Sequence, residues 1–326
     1  MSYVADLPPW AALTLYLSHV DAHLISGCEV TIDIRKDALV GLASVQHSFL
    51  RRTLGLSSRS LTTVLFTETG LWPIHYRRLS LALHFLLYVV TQRPQLPLAA
   101  VAESRWLALN GSASWLGDIH FALQQLPAPV MLPLLRPLTQ DVITLCMQHL
   151  VDSMRSSLAQ DVLASQRLVV LQARPPGRGV LARREYLGIN CAPHRRAVCR
   201  LLASEHPFAV ERLRRRTQPT PRNWRICRFC RTQDAIENEE HVLMLCPAEP
   251  LRRIREPFMR DVHQILRSHK RAVGISSPLL FLIEMLGHDC TLGRTGQYVY
   301  DIFQCCDAIP LLVVTSMEQL LSYATQ

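Results

Sequence analysis

The chain has 326 residues, 49% of them hydrophobic, and a mean hydropathy of +0.12, enough apolar material for one large or two ordinary cores and too much for a disordered protein. Its formal charge is +9, yet the apolar runs, such as Leu79 to Val90, fall short of the 18 or so residues that a membrane span needs. The first ten residues, MSYVADLPPW, lack the basic start and apolar stretch of a secretory signal, so the expected setting is intracellular and reducing, with no membrane partner.

In chain order the pattern is helical. Pro8 and Pro9 open a helix from Trp10 to Ile25 with an apolar stripe of Leu13, Leu17, Val20 and Leu24. A second runs from Arg35 to Leu54 and stops at Gly55; it is amphipathic, with Arg51 and Arg52 in its last turn. Leu61 to Gly70 follows, and Trp72-Pro73 starts Ile74 to Val90, whose second half is apolar all round and should be buried. Helices are expected over Leu98 to Leu109 and Ser112 to Leu126. After the proline-rich Pro127 to Pro137, Thr139 serves as the N-cap of a long helix reaching about Leu171, able to bridge two halves of the molecule. Strand signals are limited to Val169 to Leu171 and Pro310 to Thr315, without partners.

Arg174-Pro-Pro-Gly-Arg-Gly179 reads as a flexible joint and the first domain boundary. Gly177-x-Gly179-x-x-Ala182 matches a relaxed dinucleotide fingerprint, but the prolines, the lack of a βαβ unit and the missing acidic residue argue against that use. Short helices follow over Arg183 to Leu187, Pro193 to Ser204 and Pro207 to Arg216. A basic helix from Leu251 to Lys270 carries the stripe Ile254, Phe258, Val262 and Leu266, and apolar helices over Pro278 to Leu286 and Gln297 to Cys306 finish the core. The expected fold is mainly α: a helical region over 1–173, a basic region over 174–271 with a metal module centred on 222–250, and C-terminal helices over 272–326 that pack back on the core.

Charge is unevenly placed. From Arg167 to Arg271 there are 23 Lys and Arg against 10 Asp and Glu, whereas the rest of the chain has 12 against 16. Such a local excess is the footprint of a phosphate-binding surface. Arg212, Arg214, Arg215, Arg216, Arg225, Arg228 and Arg231, with Arg252 and Arg253, are the expected phosphate contacts, and Trp224 is a candidate to stack on an unpaired base. The competing reading of Trp224 is a packing residue.

Within this basic part lies Cys227-x2-Cys230-x10-His241-x4-Cys246. Three thiolates and an imidazole form a common closed set for structural Zn2+, with no coordination position left for substrate. The acidic run Glu237-Asn238-Glu239-Glu240 suits the start of a helix that carries His241. On an ideal helix His241 and Cys246 would lie about 140° apart. The helix is therefore expected to end or tighten before Cys246, with Pro247 as its stop. The seven other cysteines read as small buried hydrophobes.

These residues, with the apolar Val242 to Leu245 and the closing Pro247, resemble the zinc-binding domain that follows the reverse transcriptase of non-LTR retrotransposons. Val45-Gln-His-Ser-Phe-Leu-Arg-Arg-Thr-Leu-Gly-Leu56 and Thr67-Glu-Thr-Gly-Leu-Trp-Pro-Ile74, with Arg77-Arg78, resemble the helical region after the polymerase palm, and the opening helix ending at Gly27-Cys28-Glu29 resembles the segment before it. The family's polymerase uses an Asp-Asp pair, and this sequence has none. The resemblance therefore implies a non-catalytic protein that binds RNA or DNA, with a polymerase segment encoded elsewhere as a possible partner and no small-molecule substrate. A protein-interaction scaffold is the alternative. A ubiquitin-ligase RING would need a second set of four ligands, and no nucleophile motif, paired carboxylates or open metal triad marks an enzyme.

Overall fold

The structure is a computed structural model and describes residues 7–175, 179–232, 234–269 and 277–322. The centre of the expected joint, 176–178, and the boundary at 271/272 lie outside the described residues. The fold is all helical, as expected: among the described residues the sole β-type pairing is an isolated antiparallel bridge between Ile226 and Ile236.

Helix α1, Pro9–Leu15, runs into a π-helical turn, Tyr16–Asp21, and a last helical turn, Ala22–Leu24. The π turn inserts a residue and rotates the expected stripe. Leu13, Tyr16 and Leu24 are buried, while Leu17 faces outward. Helix α2, Lys36–Leu54, ends as the sequence predicts: Gly55 is left-handed (φ +68°), and the Leu56 and Gly55 N–H groups bond back to Arg51 O and Arg52 O in a Schellman closure. Helix α3, Thr62–Thr69, is buried over nearly its whole length. It ends at Gly70 (φ +74°), where an added Cβ would come within 2.8 Å of Arg183 N, so the 182–183 backbone passes directly over this glycine.

Helix α4, Ile74–Gln92, keeps one face to the core through Leu79, Leu83, Leu86 and Val89. The expectation of burial all round is corrected: Tyr88 is 54% exposed, and His84 is exposed as well. Helices α5, Gln95–Leu109, and α6, Trp115–Gln124, pack on each other. Ser114 caps α6 by accepting from the Gly117 N–H. Thr139 caps α7, Gln140–Ala164, by accepting from Val142 N.

Helix α7 stops well before Leu171. Ser165 turns extended, and a separate short helix, α8, Val169–Gln172, folds back so that the Gln172 amide donates to the Val162, Leu163 and Ser165 carbonyls. These are the acceptors that a helix end leaves unpaired. The expected bridging rod is thus a 25-residue helix, about 37 Å long, packed mainly on α4 and α3.

The later part is built around the helix Asp289–Ala308. Helices α9, Ala192–Leu202, α10, Ala209–Arg212, α11, Glu249–Ser268, α12, Pro278–Met285, α13, Asp289–Ala308, and α14, Met317–Ser322, follow in order. Helix α13 lies against both α9 and α11. The α11 stripe behaves as its periodicity dictates: Phe258, Val262 and Leu266 are buried, and Phe258 stacks on Tyr298 of α13 with centroids 4.0 Å apart. Val169 to Leu171 is helical and 310–315 is irregular, so neither strand signal becomes a strand.

One apolar cluster runs from Leu13 through α7 and α9 to Cys306, crossing the expected boundary at 174. Polar ties cross it too. Glu68, fully buried in α3, accepts a two-pronged pair from Arg174 at 2.9 and 2.8 Å and a hydrogen bond from Tyr186 Oη at 2.9 Å. Burial works against ionisation of Glu68, but the charge and hydrogen bonds of Arg174, the charge of Arg184 and the Tyr186 hydrogen bond together outweigh it, leaving the carboxyl below its ordinary range.

Candidate metal centre

The site begins as a miniature hairpin. The Ile226–Ile236 bridge is flanked by Cys227 N to Ala235 O (2.8 Å) and Glu237 N to Arg225 O (2.9 Å). Between these arms the chain makes a tight turn in which Arg231 N donates to Cys227 O at 2.9 Å and Arg231 itself adopts φ +55°, a left-handed conformation that glycine takes more easily. This turn aims the Cys227 and Cys230 sulfurs at one point.

The second pair comes from a π-helical turn, His241–Leu245, capped by Asn238, whose Oδ1 accepts from the His241 N–H at 2.8 Å. Cys246 N donates to His241 O at 2.6 Å, an i to i+5 closure. The helix therefore widens, where the sequence suggests ending or tightening. The wider turn brings the fifth residue back toward the first, so His241 and Cys246 face one point despite their α-helical phase difference.

The four donor atoms of Cys227, Cys230, His241 and Cys246 all lie within 4.8 Å of one another. The Cys227 and Cys246 sulfurs are 3.8 Å apart, and Cys230 Sγ is 3.4 Å from His241 Nε2. This cluster can hold one metal ion. Cys227 and Cys246 are completely buried. The Phe229 and Cys230 N–H groups point to Cys227 Sγ, and the Ala248 N–H points to Cys246 Sγ, donors that favour thiolates. The hydrogen bond between the two sulfurs lowers the pKa of the Cys246 thiol and raises that of Cys227, so one proton is shared unequally between them.

The surroundings fix the donors through a second set of buried groups. Glu237 is fully buried; it accepts from Ala209 N and Arg228 N and pairs with the Arg228 guanidinium at 2.6 Å. Arg228 also donates to the carbonyls of Pro207, Cys306 and Ile309, tying the first cysteine turn to the end of α13. Glu239 pairs with the buried His206 at 2.9 Å. Arg255 of α11 donates to Cys246 O at 2.7 Å, and Tyr298 Oη donates to Leu243 O. Two carboxylates of the acidic run, Glu237 and Glu239, are thus used inside the protein, against Arg228 and His206.

The expected phosphate contacts divide sharply. Arg225 and Arg228 are corrections: both are buried, and Arg225 donates to Thr220 O and Val210 O, so neither guanidinium faces solvent. Trp224 is half-buried against the small cluster of Ile226, Val314 and Leu320, which makes it a packing residue. Arg214 and Arg215 are half-buried and share the buried Glu211. Burial opposes ionisation of Glu211, but the Arg214 hydrogen bond and the Arg167 charge outweigh it and hold the carboxyl below its ordinary range. Arg212, Arg216, Arg231, Arg252 and Arg253 are exposed, the last two paired with Glu249 at the surface.

The sequence reading passed over Arg196, Arg200 and Arg222. The first two stand four apart on α9, a spacing that puts both on one helix face and could have singled them out. Cys28, Cys146, Cys199 and Cys306 are buried thiols whose burial raises their pKa, as expected of small apolar residues; Cys191 is exposed. Among the described residues no helix is long and apolar enough to cross a membrane. Comparison with family models, with curated proteins and with solved structures returned no match.

Proposed function

We propose that this chain holds a structural zinc ion at Cys227, Cys230, His241 and Cys246, and that the module so stapled binds RNA or DNA without performing chemistry on it. The observation that carries the reading is the spacing of the donors. Zinc bonds of about 2.3 Å to sulfur and 2.05 Å to nitrogen, set tetrahedrally, give S to S edges of about 3.8 Å and S to N edges of about 3.6 Å. The Cys227 to Cys246 sulfur separation is 3.8 Å, the Cys230 Sγ to His241 Nε2 separation is 3.4 Å, and all four donors lie within 4.8 Å of one another. Calcium and magnesium prefer oxygen donors and suit three sulfurs poorly. With four protein ligands the ion has no open position, so its contribution is to folding, through the loop between Cys230 and His241.

The nucleic-acid part rests on charge and on the exposed members of the basic set, Arg212, Arg216, Arg231, Arg252 and Arg253. Arginines at a surface, rather than paired within it, are what a polyanion meets. The resemblance to the region after the polymerase of non-LTR retrotransposons supports the same reading and gives the protein an accessory role beside a polymerase segment encoded elsewhere. A second reading, a protein-interaction scaffold, draws on large apolar side chains left in solvent: Leu96 is 85% exposed, Leu135 87% and Trp106 64%.

Metal analysis of the purified protein, alongside binding to labelled single-stranded RNA over a salt series, tests the proposal. About one zinc per chain is expected, lost in Cys227→Ser and His241→Ala, with RNA affinity falling steeply as salt rises. Metal-free protein with a protected 225–246 segment would sink the zinc assignment, and affinity flat with salt would sink the phosphate reading. A monomer indifferent to RNA that associates with a polymerase segment would favour the scaffold.

A further inference from the structure

Glu211 stands between two clefts. The arginines around it divide: Arg214 lines one cleft and Arg212 and Arg215 line the other. In the Arg214 cleft, Arg167 and Arg214 pair with Glu211, and the Glu239 carboxylate lies in the same lining. The second cleft, about 610 Å³, is different. It is formed where the end of α2 at Gly55 to Ser57 meets α9, the turn at Glu205 and the side of α13 carrying Tyr300 and Phe303.

Four arginines line this cleft, Arg196, Arg200, Arg212 and Arg215, with one carboxylate, Glu205. Both Glu205 oxygens accept from Ser57, from its N–H at 2.9 Å and its hydroxyl at 2.6 Å. Arg200 is held in place by the Glu205 backbone carbonyl at 3.3 and 3.2 Å and lies over the Phe303 ring, 5.6 Å from its centre. Arg215 reaches Ser204 O at 2.9 Å and shares Glu211. Among the described residues the exposed Arg212 side chain forms no hydrogen bond or ion pair.

The stem of Arg196 lies across Gly55, where a Cβ would come within 3.0 Å of Arg196 Cγ; the left-handed glycine leaves the room that this arginine occupies. Burial first, and the charge of Arg212 second, weaken the hold of Arg200 on its proton; Asp307 and Glu205 oppose them, and Arg215 adds the least. Arginines from two parts of the chain, α9 and the segment 212–215, converge on this cleft, and a bound anion would stabilise them together.

We propose that this cleft is a binding site for clustered phosphate groups, taking adjacent phosphates of a single-stranded nucleic acid between Arg196, Arg200, Arg212 and Arg215. Its phosphate chemistry stands on the cleft alone; the choice of a nucleic-acid strand as the source rests on the function proposed above. Arginine suits this task because its planar fork bonds two phosphate oxygens at once.

The test uses the full chain loaded with its metal. Binding of a short single-stranded RNA by fluorescence anisotropy and of inorganic tripolyphosphate by calorimetry is compared for the wild type, Arg196→Ala/Arg212→Ala and the charge-matched control Arg260→Ala/Arg267→Ala. The cleft variant is expected to bind both ligands at least about tenfold more weakly, with the dependence of log affinity on log salt shallower by about 2. The control should change by less than about twofold. Metal content and thermal unfolding report whether each variant is folded. Arg212→Gln, at an exposed side chain without internal partners, serves as the milder variant if the double one is not folded; it should weaken both ligands severalfold.

Wild-type RNA binding that the folded cleft variant retains in full would overturn the cleft and leave the nucleic-acid reading standing. Tripolyphosphate bound by the wild type and lost in the variant, with RNA ignored by both, would support the phosphate site and overturn a nucleic acid as its source. Failure of the wild type to bind either ligand would overturn both.

Discussion

The part of the chain before residue 174 and the part after it are held together by different means. Before 174, whole helices bury aliphatic faces on one another, as α4 does on α7, and charged groups in the interior are few, with Glu68 the main one. After 174, buried carboxylates organise the packing: Glu211, Glu237 and Glu239 each collect arginine, histidine or backbone donors. The segment from Phe208 to Pro247 has little regular helix to satisfy its backbone, so side chains do that work. Apolar burial tolerates substitution gradually, whereas a buried charge that loses its partner is destabilising at once. The two parts should therefore respond very differently to single changes.

Removing the zinc ion proposed at Cys227, Cys230, His241 and Cys246 should separate them most. Structural zinc contributes on the order of 10 kcal/mol to small zinc modules. Chelation is expected to abolish amide-exchange protection over 225–246 while α4 and α7 keep theirs; equal loss in both would show the two parts to be one cooperative unit. Glu237→Ala comes next, at about 3–5 kcal/mol, because it leaves Arg228 buried and unpaired. Urea unfolding with the metal bound measures it, and a loss under about 1 kcal/mol would contradict the role given to this carboxylate.

The earlier part carries a pH response of its own. Burial first, and the charge of His47 second, lower the His75 pKa from 6.5 to about 4. Its folded-state value lies below its unfolded one, so the stability it contributes is complete above pH 6.5 and is lost as pH falls toward 4. A decline of roughly 2 kcal/mol over that window is expected, and His75→Leu should flatten it. If both proteins lose stability in parallel, the acid sensitivity belongs elsewhere. The smallest effect is at a cap. Ser114→Ala removes the acceptor for Gly117 N and should cost about 1 kcal/mol by thermal unfolding, without changing metal content.

Sequence patterns made some of this legible, and the reasons are local. The Phe258, Val262 and Leu266 stripe, the caps at Thr139 and Gly55 and the cluster of four side chains that can hold a metal ion all depend on spacing within one segment. Arg225 and Arg228 looked like surface cations because nothing nearby in sequence announces the hairpin that brings Glu237 and Val210 O onto them. The π turns at Tyr16–Asp21 and His241–Leu245 were illegible for another reason: both occur in stretches whose composition suits an ordinary α-helix. The long helix from Thr139 was overextended because apolar residues continue through Leu168 to Leu171 in α8, a separate helix that faces the same core.

Glu68 and Arg174 are 106 positions apart in sequence, and Glu68 and Tyr186 are 118 apart. Closing a loop of that length in an unfolded chain costs about 4 kcal/mol of entropy, more than one such contact returns. The clasp therefore forms only after α3, α4 and α7 have already brought its ends together. It belongs to the late, unfolding side of the barrier: Glu68→Gln should leave the refolding rate nearly unchanged and speed unfolding. In kinetic terms the carboxylate near the C-terminal end of α3 is one of the contacts that set how long the two parts, once joined, stay joined.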